Sequence, residues 1–402
     1  MIQSSVIPAK AGIQKNSKSF IFSILVFMGC LCVGFWIAGH RSLWTDEFYS
    51  QIASIHNLSY ADQCLGRIPE GGNTPLFYVL QKAFLQLIRF QTPAPWFGHH
   101  WKGDAFSQIV LRINPVFFMS LSVGLVFFYF CRKYSLWIGF YSLFIYISSY
   151  MLWAYWAEAR PYALVVFLTT VQSIILLNRI DQRSAPDRGS AWLMLAGINI
   201  LLSLTSILSL GEILAVSIIW WALKERDWKK YLLITLLPIV IVLFYYTHAP
   251  KYQFFFGLSP EQLIRDNIPR QYFDVVFIFF ALLVAYVVCL KNKVFKDVIS
   301  EEILKPVFYV IFLALVLAAS AAVICIFALH AKQGQGFPVT SRYFIYLTPI
   351  GVMATTILTV TIFKSLSGYR LIQGVLMGLI ILLLAQHFIK TVPRAVHSTM
   401  EG

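Results

Sequence analysis

Charge is what this chain has least of. Only 12% of its 402 residues are Asp, Glu, Lys or Arg, about half the ~25% of an ordinary soluble domain. Lack of charge on that scale excludes a water-soluble fold. The chain has no GxxxxGK[ST] loop and no GxGxxG loop, so nothing in it is built to cradle a nucleotide phosphate. Its six cysteines form no CxxC pair, and five of them (Cys30, Cys32, Cys131, Cys289, Cys325) lie in or beside apolar runs; only Cys64 is in a long polar loop. A disulfide framework and a cysteine metal site are thereby excluded. Low-complexity segments and a strong internal repeat are missing as well, and with them the inverted-repeat signature of many transporters.

What the chain does have is apolar length: 58% hydrophobic residues and a mean hydropathy of +0.71. The composition predicts an all-α polytopic membrane protein. Residues 1–18 read as a polar N-terminal tail and Ser19–Ala38 as a first, uncleaved span. A loop over 39–108 follows, the longest outside the membrane. Within it, Thr74–Phe90 is interrupted by Gln81, Lys82 and Gln86, which suits a helix lying in the interface better than a span. Further spans are expected near 109–131, 135–155, 161–178, 191–207, 209–223, 231–247, 273–290, 306–328, 343–363 and 371–389, about eleven in all. The stretch 191–223 reads as one long tilted helix or as two short ones. Two is the better reading, because it puts the basic clusters 132–133, 179–188, 224–230, 291–305 and 364–370 on the side of the N-terminus. The net charge of +14 then reflects topology and anionic head groups, not nucleic acid. That side is expected to be cytoplasmic, with the 39–108 loop outside.

Four polar groups fall on the expected outer side. Asp46 and Glu47, in SLWTDEFYSQ, are an adjacent acid pair just past the first span. In such a place they are either simply solvated, or a general base for a hydroxyl or amine. AYWAEARPYAL sets Glu158 and Arg160 in a short connection, with Pro161 opening the next helix. Arg112, in VLRINP, either snorkels to the interface or holds a phosphate. Arg342 and Tyr343, in TSRYFIYLTP, enter a late span behind the QGQGFP loop. Carboxylates together with forked guanidiniums and no nucleotide loop point to a phosphate carried on a lipid.

The ordered set of motifs is Trp44-x-Asp46-Glu47 with Tyr49, then NTPLFYVL, then Arg112, then EARPYAL, then SRY-x5-P. It resembles the integral-membrane glycosyltransferases of the GT-C superfamily, of the protein mannosyltransferase and aminoarabinose transferase type, over most of residues 19–360. The resemblance implies transfer of a sugar from a polyprenyl-phosphate donor to a lipid, glycan or protein acceptor at the extracytoplasmic face of a bacterial-type inner membrane, with inversion at the anomeric carbon. It implies a catalytic module over 19–247 and a variable transmembrane module over 248–402. Asp46, Glu47 and Glu158 would be catalytic. Arg112, Arg160, Arg342 and Tyr343 would bind the donor phosphate, and Trp44, Tyr49 and Tyr162 would contact substrate. Asp46 and Glu158 are also the candidate ligands if a divalent metal is used.

The chain departs from the pattern in two places. Asn73-Thr74-Pro75 stands where relatives have His or Lys before two prolines, and Thr205-Ser206-Ile207 where many have Thr-His-Tyr. Glu70 or Glu212 would have to replace a metal ligand lost there. Two other readings stay open: a flippase or transporter of a lipid-linked glycan, which wants polar groups at the bilayer midplane, and a scaffold that has lost activity.

Overall fold

The computed structural model describes residues 9–70, 72–90, 104–181, 191–222, 228–248, 341–365 and 370–400, with two single positions at 316 and 322. Its long helices follow from long apolar runs, whose backbone groups must be bonded internally once water is gone. In chain order the helices are α1 (Ala9–His40), α2 (Thr45–Tyr49) continuing into a π-helical stretch (Ser50–His56), α3 (Tyr60–Cys64), α4 (Leu76–Leu87), α5 (Ala105–Lys133), α6 (Leu136–Ile147), α7 (Tyr150–Tyr155) and α8 (Tyr162–Asp181). They are followed by α9 (Ala191–Ser203), a 3-10 turn (Ile207–Ser209), α10 (Leu210–Ala222), α11 (Trp228–Tyr231), a second π-helical stretch (Leu232–Leu236) and α12 (Leu237–His248). A second 3-10 turn (Ser341–Phe344) leads into α13 (Leu347–Ser365), and α14 (Arg370–Met400) is last. Six segments of this series are long and apolar enough to cross a bilayer, which makes the chain an integral membrane protein: Ser17–His40, Ala105–Lys133, Tyr162–Asp181, Trp228–His248, Leu347–Lys364 and Gln373–Lys390. The spans expected at 273–290 and 306–328 lie outside the described residues.

Three expectations can be set beside the structure: the first and third meet it differently, and the second, two short helices over 191–223, is met. The 135–155 run is not one helix. It is α6 and α7, parted at Ser148-Ser149, where the Ser148 hydroxyl turns back onto the Ile145 carbonyl at 2.8 Å. The 191–223 run is two short helices of opposite direction. Its break is stitched to the loop before α4: Leu76 N–H bonds the Leu204 carbonyl (2.7 Å), Thr74 N–H the Thr205 carbonyl (3.2 Å) and Ile207 N–H the Gly72 carbonyl (3.1 Å). The far end of α10 places Trp220 under Arg179, at the other end of α8. Thirdly, Gln81 and Lys82 of α4 turn inward, while Gln86 is exposed and accepts from the Tyr60 hydroxyl. Gln81 is fully buried and donates to the Leu111 carbonyl of α5 (2.9 Å) while accepting from Asn114 (2.8 Å). Lys82 donates to the Ile55 and Leu58 carbonyls.

Between helices in lipid, close packing and hydrogen bonds replace the hydrophobic drive. Gly34 lets α1 lie directly on its neighbours, since a Cβ there would sit 2.6 Å from Val116 and 2.9 Å from the ring nitrogen of Trp156. Ser122 of α5 bonds the Tyr146 hydroxyl of α6 (2.8 Å) and Thr170 of α8 (2.5 Å). Gln172 of α8 bonds Asn199 of α9 (2.7 Å), and Tyr141 of α6 bonds Thr359 of α13 (3.0 Å). These bonds hold five helices in register. Lys133 pairs with Asp181, which fixes the ends of α5 and α8 together at the end of the bundle away from Asp46.

Candidate functional site

The C-terminal end of α1, the N-terminal ends of α5 and α8, and the turn leading into α13 meet at one end of the bundle. Glu47 is the bolt that joins them. It is fully buried, and its Oε1 accepts from Arg112 Nε (2.9 Å) and from the Ala159 backbone N–H (2.7 Å). Its Oε2 accepts from Arg112 Nη2 (2.6 Å) and from the Trp44 N–H (3.4 Å). Arg112 spends its other donors on the Ala38 (3.0 Å), Arg41 and Ser42 (2.9 Å) carbonyls at the end of α1. Burial pushes the Glu47 carboxyl up, but the charge and hydrogen bonds of Arg112, the charge of Arg41 and the Ala159 N–H outweigh it and hold it below its ordinary value. All five N–H donors of a guanidinium are thus used at Arg112, and none remains for a donor phosphate. The phosphate role expected of Arg112 and the catalytic role expected of Glu47 both give way to positioning.

What Glu47 positions is the residue before it, Asp46, and the 158–160 turn. The Ala159 carbonyl is also held, by Gln51 Nε2 at 3.4 Å, so the peptide of Ala159 is gripped at both ends. Asp46 consequently faces Arg160. Arg160 Nη1 bonds Asp46 Oδ2 at 3.0 Å, and Arg342 Nη2 meets the same oxygen at 2.7 Å. The carboxylate's other oxygen stands outside both ion pairs, on a side chain that is 37% exposed. Arg160 reaches on through Nη2 to Glu70 Oε2 (3.0 Å), and Ser54 holds Glu70 Oε1 (2.9 Å). Each arginine also lies over an aromatic ring, Arg160 over Tyr162 and Arg342 over Trp44, both at 5.2 Å. The expected contact residues Trp44 and Tyr162 therefore orient the guanidiniums. Tyr49 is exposed, and the Tyr343 side chain lies outside the described residues.

Glu158 is the anomaly. It is fully buried, Arg160 Nη1 approaches its Oε1 only to 3.8 Å, and neither carboxyl oxygen has a hydrogen bond. Burial pushes its carboxyl up to about 7, against the lowering charges of Arg160 and Arg41. Arg41 itself went unremarked in the sequence. It is buried, donates to the Ala154 carbonyl at 2.8 Å, and acts by charge on both Glu47 and Glu158. Its signal was a basic residue directly after an apolar run.

A divalent metal fits this cluster poorly. Asp46, Glu70 and Glu158 all approach Arg160, so the guanidinium stands where a cation between them would be. Among the described residues no three His, Cys, Asp or Glu side chains come together as a metal site. Of the two suggested replacement ligands, Glu70 belongs to the cluster, whereas Glu212 bonds Thr169 (3.0 Å), within α8. The two departures from the family pattern touch each other: Asn73 pairs with Ser206 in an isolated antiparallel bridge, and Thr74 Oγ1 bonds the Ser203 carbonyl at 2.9 Å. They hold α4 to the α9–α10 break. The chain matches no protein-family model and no curated protein.

Proposed function

We propose that this chain is an integral-membrane glycosyltransferase that moves a sugar from a polyprenyl-phosphate donor to an acceptor hydroxyl or amine at the extracytoplasmic face. The observation that carries the reading is the meeting of Arg160 and Arg342 on one oxygen of the half-exposed Asp46. Asp46 takes the acceptor's proton as the acceptor oxygen or nitrogen attacks the anomeric carbon. The bond from that carbon to the phosphate oxygen breaks, and the electron pair leaves with the lipid phosphate. Asp46 loses a negative charge while the departing phosphate gains one. Both changes occur beside the same two guanidiniums, so the positive charge released at Asp46 is available to the leaving group without reorganisation.

The outward orientation of Asp46 rests on the basic clusters of the sequence, and the bacterial-type inner membrane on the resemblance alone. The test is mass spectrometry of membrane lipids and surface glycans from cells with the gene, without it, and with Asp46→Asn. The reading expects one sugar modification missing from the last two alike. Identical profiles in all three would overturn it.

One observation favours the second reading, a transporter of a lipid-linked glycan. Glu212, in the first turn of α10, bonds Thr169 of α8, and Gln172 of α8 bonds Asn199 of α9, which buries polar side chains between these helices. A transporter expects Glu212→Gln to block passage of a fluorescent lipid-linked sugar across proteoliposomes. A glycosyltransferase expects no passage in the wild type either.

A further inference from the structure

Four of the spans carry a cationic residue toward each end. Lys18 and Arg41 flank the apolar part of α1, Arg132 and Arg112 that of α5, Arg179 and Arg160 that of α8, and Lys364 and Arg342 that of α13. The two members of each pair are about 20 residues apart, or ~30 Å at 1.5 Å per helical residue. That is the thickness of a bilayer's hydrocarbon core. The second members, Arg41, Arg112, Arg160 and Arg342, are the arginines of the site. They form one layer there: Arg112 bonds the Arg41 carbonyl, Glu47 accepts from Arg112 and from the Ala159 N–H, and Asp46 meets both Arg160 and Arg342.

Exposed tryptophans mark the same two levels. Trp137 follows Arg132 and Lys133, and Trp221 adjoins the Trp220 that lies under Arg179. At the other end, Trp36 lies one turn before His40. Tryptophan favours the boundary between hydrocarbon and head groups. On both counts Asp46, Arg160 and Arg342 stand just past the hydrocarbon, where lipid phosphates lie. Glu47 and Arg112 tie the end of α1 to α5 and to the turn before α8. The height of the layer is therefore set by helix length and does not follow a lipid that rises or sinks.

We infer that bilayer thickness regulates this site: Arg160 and Arg342 meet a phosphate anchored in the leaflet only where the phosphates of that leaflet lie at the height the four spans set. The inference rests on the lipid-phosphate reading above and adds a control to it. A phosphate dissolved in water has no fixed height and would bind alike in any bilayer.

The experiment places the full chain in nanodiscs of dimyristoleoyl, dioleoyl and dierucoyl phosphatidylcholine, which differ in acyl-chain length, and measures binding of farnesyl phosphate and of inorganic phosphate. Affinity for farnesyl phosphate, corrected for its partition into empty nanodiscs, is expected to be highest in the dioleoyl bilayer. It should fall about tenfold in the thinner and in the thicker one, since a mismatch of several Å is costly. Inorganic phosphate should bind weakly and equally in all three. Arg160→Ala and Arg342→Ala should each weaken farnesyl phosphate binding in the dioleoyl bilayer.

Equal affinity for farnesyl phosphate in the three bilayers, with both variants weakened, would overturn the thickness control and leave the phosphate site standing. A loss in the thin and thick bilayers that comes with a fall in Tm would be general destabilisation and would overturn it too. So would inorganic phosphate binding as tightly as farnesyl phosphate, because the ligand would then come from solution. Binding of farnesyl phosphate that neither variant changes would instead remove the lipid-phosphate reading itself.

Discussion

Asp46 and Glu47 are neighbours in sequence, both acidic, and both paired with arginine, yet the structure puts them to opposite uses. Glu47 is sealed away with every lone pair filled, and its arginine has no donor left. Asp46 is open to solvent, one of its oxygens is outside both ion pairs, and its two arginines are held by rings and carboxylates from three separate segments. The difference separates the part of a site that must never move from the part that must exchange partners. A fully bonded buried pair is rigid, and breaking it leaves an uncompensated charge. A shared and exposed carboxylate can give up a partner at little cost.

The sharpest way to break the comparison is to remove one member of the buried pair. Glu47→Ala or Arg112→Ala should cost on the order of 3–5 kcal/mol, enough to abolish a monodisperse peak in detergent size-exclusion chromatography. Recovery of either variant with a wild-type melting curve would show that the pair is not the bolt described here. Asp46→Asn should do the reverse: fold and melt normally, yet lose roughly 10²- to 10⁴-fold in transfer rate. A loss under about tenfold would end its role as a base.

A smaller effect is expected where the fork of the guanidinium is exchanged for a point charge. Arg160→Lys and Arg342→Lys keep the charge but lose the paired donors, so the apparent KM for a polyprenyl-phosphate sugar should rise. Unchanged values in both would remove them from the phosphate site.

The pH dependence of stability gives a subtler separation. The carboxyl of Glu158 is raised from 4.5 to about 7, so the stability it contributes is full below 4.5 and is lost as pH rises through about 7. The Tm of wild type should therefore fall relative to Glu158→Gln over that window, and parallel curves would contradict the assignment. At the bottom of the scale, Arg67→Ala breaks only the exposed pair with Asp62. No measurable change in Tm is expected there, which makes it the control for the buried pair.

The segments that form the cluster were legible in the sequence as separate motifs. WTDE, NTP, the arginine of VLRINP, EARPY and SRY are all drawn to one end of the bundle, because each lies where an apolar run stops. Which arginine does what was not legible. Arg112 and Arg160 both sit beside span starts, and only the geometry of the α1 end shows that three backbone carbonyls and Glu47 consume the first. Glu70 gave only a faint signal, an acid beside two glycines in RIPEGGNTP, since its partners Ser54 and Arg160 are distant in sequence. The break at Ser148-Ser149 was hidden for another reason. Apolar residues continue on both sides of it, and hydropathy averages over a two-residue interruption.

The spacing of the ion pairs along the chain also imposes an order on assembly. Glu47 and Arg112 are 65 residues apart, and Arg160 follows Asp46 by 114. Arg342 emerges far later than either. As the protein is synthesised, the bolt therefore closes first, the first guanidinium reaches Asp46 next, and the second arrives last. A ribosome-bound chain stopped before residue 341 would already hold the α1–α5 frame in place, with one of the two guanidiniums that meet Asp46. The cluster around Asp46 would thus stay incomplete until residue 342 has been made.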